Sequence, residues 1–284
     1  MENNVFGIMT TFCPAYSAVE NAISIAKQCQ RLVIVDDTGL GKGGLNINIS
    51  EELQHIKNIV ILANEDNSGI AVALNIGVRY AINNGADYIV TFDDDTKICD
   101  SYVRQCLDFY MNNTCEIGAV SLARGSSFIE GKGSAVSKRV LITSGMFVNS
   151  AVYENNDLIP EDYFIDLVDF YTSFKIRGLG YKIYVLDSVG MIHSVGHSKS
   201  RNFLSSFKIY HHAPFRLYYQ LRNSIFFARD FWKFDAVFCS YILLDIVRIP
   251  LKAMFFEANK IERLTYCVRG IYDGVLYRKG KLNE

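Results

Sequence analysis

The chain has 284 residues, 29 of them basic and 30 acidic; half are apolar and 13% aromatic. This excludes a disordered chain, a collagen-like chain and a small disulfide-stapled fold, and leaves room for one large domain or a domain with an appendage. The net charge of −1 argues against a nucleic-acid partner but conceals a split: residues 1–200 carry 15 basic and 23 acidic groups, whereas residues 201–284 carry 14 and 7 together with 18 of the 37 aromatics. Such asymmetry points to two surfaces with different partners.

In chain order, the first 125 residues alternate between two patterns. Val5–Thr11, Leu32–Asp36, Asn58–Ala63, Tyr88–Phe92 and Ile117–Leu122 are short β-branched apolar runs that read as strands. Between them lie amphipathic segments. The clearest places Ile70, Ala73, Leu74, Gly77, Val78, Ala81 and Ile82 at helical spacing and stops at Asn84-Gly85. This alternation predicts an α/β fold, a mostly parallel Rossmann-like sheet flanked by helices. Ligands of such sheets bind at the carboxyl ends of the strands, so the polar residues just after each strand carry the interest.

Residues 123–135 read as a loop and Gly145–Asn149 as a strand. The acidic segment Glu161–Asp169 leads into a helix towards Arg177, and Lys182–Leu186 and Val189–His193 read as two further strands. From Phe203 the chain is helical, basic and aromatic. The expected division is residues 1–200 as the catalytic domain and residues 201–284 as a helical extension.

The seven cysteines (13, 29, 99, 106, 115, 239, 267) form no CxxC pair and read as reduced thiols of a cytosolic protein. No secretion signal is evident at the start. The apolar stretch Ala236 to Phe256 is interrupted by Asp245, Arg248 and Pro250, which argues against a spanning helix.

Asp93-Asp94-Asp95 directly follows the strand Tyr-Ile-Val-Thr-Phe. On extended backbone Asp93 and Asp95 would face one side and Asp94 the other. Adjacent carboxylates repel, and a hard divalent cation such as Mn²⁺ or Mg²⁺ removes that cost while also holding a diphosphate. Asp36-Asp37-Thr38-Gly39 ends the second strand in the same way and suits hydrogen bonds to a base or ribose; as a plain Asp-Gly turn it would be structural. His193 closes a strand and is a reasonable further Mn²⁺ ligand. His211 and His212 complete no zinc spacing. Asp162, Asp166 and Asp169 lie among apolar and aromatic residues, which suits general-base work, although helix capping is the simpler role for one of them.

Taken together the chain resembles the inverting glycosyltransferases of family 2, which have the GT-A fold, and within them the bacterial rhamnosyltransferase-like branch. The resemblance rests on eight segments in order. They are Thr11-Phe12-Cys13-Pro14, Val35-Asp36-Asp37, Asn67-Ser68-Gly69-Ile70-Ala71 running into Ala73-Leu74-Asn75-Ile76-Gly77, and Asp93-Asp94-Asp95-Thr96 at the DxD position. Then come Ser144-Gly145, Phe164-Ile165-Asp166-Leu167-Val168-Asp169, His193-Ser194-Val195-Gly196, and Arg216-x-Tyr218-Tyr219-x-x-Arg222-Asn223. The branch's usual Glu and Arg after the base segment are replaced here by Tyr171 and Lys175.

The resemblance implies metal-dependent, inverting transfer of a sugar, either rhamnose or a galactofuranose or other hexose. The donor would be a dTDP- or UDP-linked sugar and the acceptor a lipid-linked saccharide, in bacterial surface-polysaccharide assembly of the O-antigen or lipopolysaccharide kind. It implies Asp93, Asp95 and His193 as metal ligands for Mn²⁺ or Mg²⁺, and Asp169, with Asp166 second, as the base. It implies Thr11, Asp36, Asn67, Asn75, Asp94 and Arg222 around the donor, with Arg216 as a further cation for the phosphates. Ser144, Gly145, Tyr219 and Asn223 would face the acceptor. The basic, aromatic C-terminal region would meet an anionic membrane surface, which places the protein in the cytoplasm, peripheral on the inner face of the plasma membrane. A catalytically silent nucleotide-sugar-binding protein is the alternative. A sugar-1-phosphate nucleotidyltransferase is disfavoured, because Thr10–Ala22 has neither glycine nor Lys or Arg.

Overall fold

A computed structural model of the chain describes residues 3–42, 44, 45, 47–113, 116–154, 158–193 and 213–282. It divides into two compact units, Met1–Glu161 with Val168–His193, and Asp162–Leu167 with Ser194–Glu284. The six residues Asp162–Leu167 group with the C-terminal helices although helix and strand of the first unit follow them in the chain.

The first unit is built on a sheet whose strands run in the order β3 (Ile59–Ala63), β2 (Arg31–Asp36), β1 (Val5–Thr11), β4 (Tyr88–Asp93), β8 (Met146–Asn149), β6 (Ile117–Arg124), β9 (Lys182–His193) and β5 (Thr96–Ile98), with β7 (Ala135–Ser137) pairing β9. The half from β3 to β4 is parallel throughout. Beyond it the sheet is mixed: β8 runs antiparallel to β4 and β6, and β9 is parallel to β6. The buried runs explain the parallel half. β1 is buried along its whole length and β2 along all but its first residue, as strands covered by helices on both faces must be. α1 (Ser17–Ala26), α2 (Ile47–Gln54), α3 (Ile70–Asn83) and α4 (Tyr102–Asn112) supply the cover, with α5 (Ser150–Glu154) and α6 (Val168–Gly178) following.

Two expected strands, Lys182–Leu186 and Val189–His193, are one strand. β9 runs unbroken past Asp187-Ser188, and register shifts against β6 absorb the irregularity there. β5 and β7, three residues each, were not expected, and β7 ends the segment read as loop.

The second unit consists of the 162–167 segment with α7 (Pro214–Phe231), α8 (Ala236–Leu243), α9 (Asp245–Phe256) and α10 (Lys260–Val275). α7 and α10 approach closely because α10 carries Gly270 and Gly274 one turn apart. A Cβ on Gly270 would sit 2.5 Å from the Tyr218 carbonyl oxygen. Leu217, Leu221, Ala253 and Cys267 form the apolar centre of these helices.

Candidate active site

In the first unit the carboxyl ends of β1, β2 and β4 lie side by side, since Thr11 pairs in register with Asp36 and Thr10 with Asp93. Asp36 is 0% exposed. Its Oδ1 accepts from the hydroxyls of Thr11 at 3.0 Å and Thr38 at 2.7 Å and from the Thr38 N–H at 3.2 Å. Its Oδ2 is buried with no hydrogen-bond partner among the described residues. A buried carboxylate oxygen left without a donor is costly, so an N–H or O–H brought to it would be stabilised. Thr38, which also holds the Cys13 N–H at 2.8 Å, was not singled out in the sequence, because a threonine in a turn gives no chemical signal of its own.

Asp37 does something different. Its carboxylate accepts from Asn64 Nδ2 and the N–H groups of Ser68 and Gly69, each at 2.8 Å, and so pins the loop that starts α3. Asn67 Oδ1 turns to the same Gly69 N–H at 3.1 Å. Asn75, expected around the donor, donates to the Ile159 carbonyl at 3.2 Å and to Glu161 Oε1 at 2.8 Å, where Arg79 also binds.

β4 ends at Asp93, and Asp94-Asp95 form the turn into β5, so the strand alternation expected to separate the three acids does not extend through them. They crowd instead. Burial, and then the charges of Asp95 and Asp93, push the Asp94 carboxyl up to about 6, against the pull of the Phe12 N–H. Ser144 underlies this turn: at 1% exposure its hydroxyl meets the Asp93 N–H at 3.1 Å and the Thr96 hydroxyl at 2.7 Å. Gly145, at φ +84°, is held by its N–H to Thr91 and its carbonyl to Tyr102. Ser144, expected to face an acceptor, braces the aspartate turn from inside the fold, and Gly145, expected beside it, is tied to Thr91 and Tyr102.

The acidic turn suits a hard cation. Among the described residues no three His, Cys, Asp or Glu side chains form a ready-made cage, but Mg²⁺-type sites commonly use one or two carboxylates and complete their shell with substrate phosphates and water. The charges of Asp95 and Asp93, which add to the effect of burial on Asp94, are the excess such an ion would relieve. His193 pairs in register with Thr96, next to the turn; its side chain, the Ser194-Val195-Gly196 motif and His211 and His212 lie outside the described residues.

The base segment has unusual backbone. Phe164, Asp166 and Leu167 all have positive φ, at 62°, 65° and 59°, a conformation that L-residues adopt only when their surroundings enforce it. Arg222 and Asn223 provide the enforcement. Both are 0% exposed. Asn223 Nδ2 donates to the carbonyls of Tyr163, Ile165 and Asp166 at 3.0, 2.8 and 3.0 Å. Arg222 donates to those of Asp162 at 3.1 Å, Tyr163 at 2.9 Å and Gly280 at 2.5 Å, under the rings of Tyr218, Tyr219 and Phe226. Tyr219 is stacked on Phe164 and its hydroxyl accepts the Leu282 N–H. Arg222, expected at the donor, and Tyr219 and Asn223, expected at the acceptor, are in this structure interior clamps of the 162–167 segment.

Arg216 is likewise committed, to Asp166 through two parallel bonds. Asp169 sits in the first turn of α6, half-buried, with its Oδ1 3.1 Å from the Phe170 N–H.

Residues 16–154 match the family model described as Glycosyl transferase family 2. The chain is 24% identical to dTDP-rhamnosyl transferase RfbF of Shigella flexneri over 97% of its own length and 96% of that protein's. In fold it is similar to S. aureus TarS 1–349, at a TM-score of 0.60 and 15% identity over 96% of this chain and 81% of that one; TarS 1–349 has also been solved in complex with UDP-GlcNAc and with UDP, with the same similarity. The matched residues hold Asp36 and the Asp93–Asp95 turn, so the stretch that forms this edge of the sheet is similar to glycosyl transferase family 2.

Proposed function

We propose that the chain is a family 2 glycosyltransferase that moves a sugar, with inversion, from a nucleoside diphosphate to a hydroxyl of a lipid-linked saccharide in bacterial surface-polysaccharide assembly. The observation that carries the reading is the carboxyl edge of β1, β2 and β4. There a buried Asp36 oxygen awaits a donor beside three crowded carboxylates. The similarity to a dTDP-rhamnosyl transferase supports dTDP-rhamnose as the first donor, and the UDP-GlcNAc and UDP complexes of TarS support UDP-linked sugars as the second.

Asp36, with Thr11 and Thr38 orienting it, accepts from the nucleoside. Asp93 and Asp95, with His193 as the expected further ligand, would hold Mn²⁺ or Mg²⁺, which supplies neutralisation of the departing diphosphate. Asp169 takes the proton of the acceptor hydroxyl as that oxygen bonds to the anomeric carbon. The carbon's bond to the diphosphate breaks with its electron pair leaving on phosphate, through an oxocarbenium-like transition state. Attack from the face opposite the leaving group inverts the centre. Asp166 is the weaker candidate because both of its oxygens are taken by Arg216. The protein works in the cytoplasm, peripheral on the inner face of the plasma membrane, where a lipid-linked acceptor resides.

The test is thermal shift of the purified chain with Mn²⁺ and single nucleotide sugars. A ligand at 100 times its Kd adds about 2.7 kcal/mol of stability, so dTDP-rhamnose, or failing it a UDP-sugar, should raise the Tm clearly. No shift with any dTDP- or UDP-linked sugar would overturn the reading.

A further inference from the structure

α8 and α9 form a nearly continuous helical run, joined through Leu244 in helical conformation. One side of the run is interior: Cys239, Ile242 and Ala253 are buried, and Ile246 and Ile249 pack on the Leu217–Leu221–Cys267 centre. The opposite side is apolar as well. Val237, Tyr241, Leu244, Val247, Leu251 and Phe255 recur at three- and four-residue steps, and all are exposed, Val237 at 77% and Phe255 at 64%. A helix apolar on both sides belongs in an apolar medium on both sides, and solvent does not provide one.

Two observations choose what covers the stripe. Arg248 and Lys252 flank it, Arg248 lying over the Tyr241 ring at 5.0 Å and 4.0 Å from Asp245, and Lys252 lying 3.5 Å from Glu257. Residues 213–282 carry twelve basic and six acidic groups; Asp245 is the acid within the run, and Glu257, just past its end, is buried against Arg263. A two-fold pairing of this face with a second copy would bring the same cations together, whereas an anionic lipid headgroup layer complements them. Among the described residues no helix is long and apolar enough to cross a membrane, so the contact is with the surface.

We propose that the outward face of α8 and α9 lies in the headgroup region of an anionic bilayer, with its apolar stripe entering the acyl boundary and Arg248 and Lys252 at the phosphates. This deepens the peripheral placement proposed above and is independent of donor chemistry.

The experiment is co-sedimentation of the full chain with vesicles of phosphatidylcholine alone and of phosphatidylcholine mixed with phosphatidylglycerol. Binding is expected to the mixed vesicles, weakened by salt, and reduced about tenfold or more by Leu251→Glu with Phe255→Glu. Arg248→Gln with Lys252→Gln should abolish the preference for anionic lipid while retaining the apolar contribution. The Tm shift with a nucleotide sugar and Mn²⁺, measured on each variant, reports folding and donor binding separately from lipid binding. Failure of the wild-type chain to bind either vesicle, binding indifferent to Leu251 and Phe255, or a concentration-dependent dimer that these substitutions abolish without any vesicle binding would each overturn the proposal.

Discussion

Arg216 grips Asp166 through two parallel bonds, Nε to Oδ2 at 3.2 Å and Nη2 to Oδ1 at 2.5 Å. The pair separates two carboxylates that look alike in the sequence. Asp166 is an anchored residue within a strained segment, and Asp169, three residues on, opens α6. Bidentate Arg–carboxylate pairs are among the stronger ones, though Arg216 is a third exposed and solvent screens it. A double-mutant cycle of Arg216→Ala and Asp166→Ala, read by chemical denaturation, is expected to give a coupling of roughly 1–2 kcal/mol.

Asn223 should be less replaceable than Arg216. Its amide serves three carbonyls, and removing it takes this donor from those of Ile165 and Asp166, while Arg222 still holds that of Tyr163, in a segment with positive φ at three residues. Asn223→Ala is expected to destabilise by about 2–4 kcal/mol. Unchanged denaturation midpoints would contradict the clamp.

Two glycines make a paired comparison. Gly270→Ala drives a methyl into the Tyr218 backbone, which cannot move as a side chain tip can, and should cost about 1–3 kcal/mol. Gly178, at the end of α6, has open space where a Cβ would go and no positive φ. Gly178→Ala should therefore be neutral or stabilise by about 0.4–1 kcal/mol. Thermal melts of both variants check the close approach of α7 and α10.

Asp36→Ala is expected to weaken nucleotide binding by about 10–100-fold, the loss of one or two charge-assisted bonds. Titration calorimetry with dTDP and UDP in the presence of Mn²⁺ reads this directly. Ser144→Ala provides the contrast: it removes the brace under the aspartate turn, so it should lower the affinity for Mn²⁺ with nucleotide while leaving metal-free nucleotide binding close to normal.

Much of the first unit was legible because burial leaves its mark on composition. An apolar run marks β1 to its last residue, and a helical period with an Asn-Gly stop marks α3 to within one. β5 and β7 escaped, since three residues carry no period. The strand ends at Asp36 and Asp93 were legible as acidic residues after apolar runs. What escaped was the division between residues that touch ligand and residues that hold the site. Arg222, Asn223 and Tyr219 carry the chemistry of a ligand contact, and a buried carbonyl recruits the same donors as a phosphate. Only their burial tells the two apart. Ser144 shows the same confusion, because a hydroxyl that braces a turn and one that greets an acceptor have one spelling.

The most direct test of the account is turnover of Asp169→Asn against Asp166→Asn, with donor binding measured in parallel. Asp169→Asn should bind nucleotide sugar and Mn²⁺ like the wild type while kcat falls by about 10²–10⁴-fold, and Asp166→Asn should lose stability more than chemistry. Near-normal turnover by Asp169→Asn, with turnover abolished in a folded, donor-binding Asp166→Asn, would contradict it.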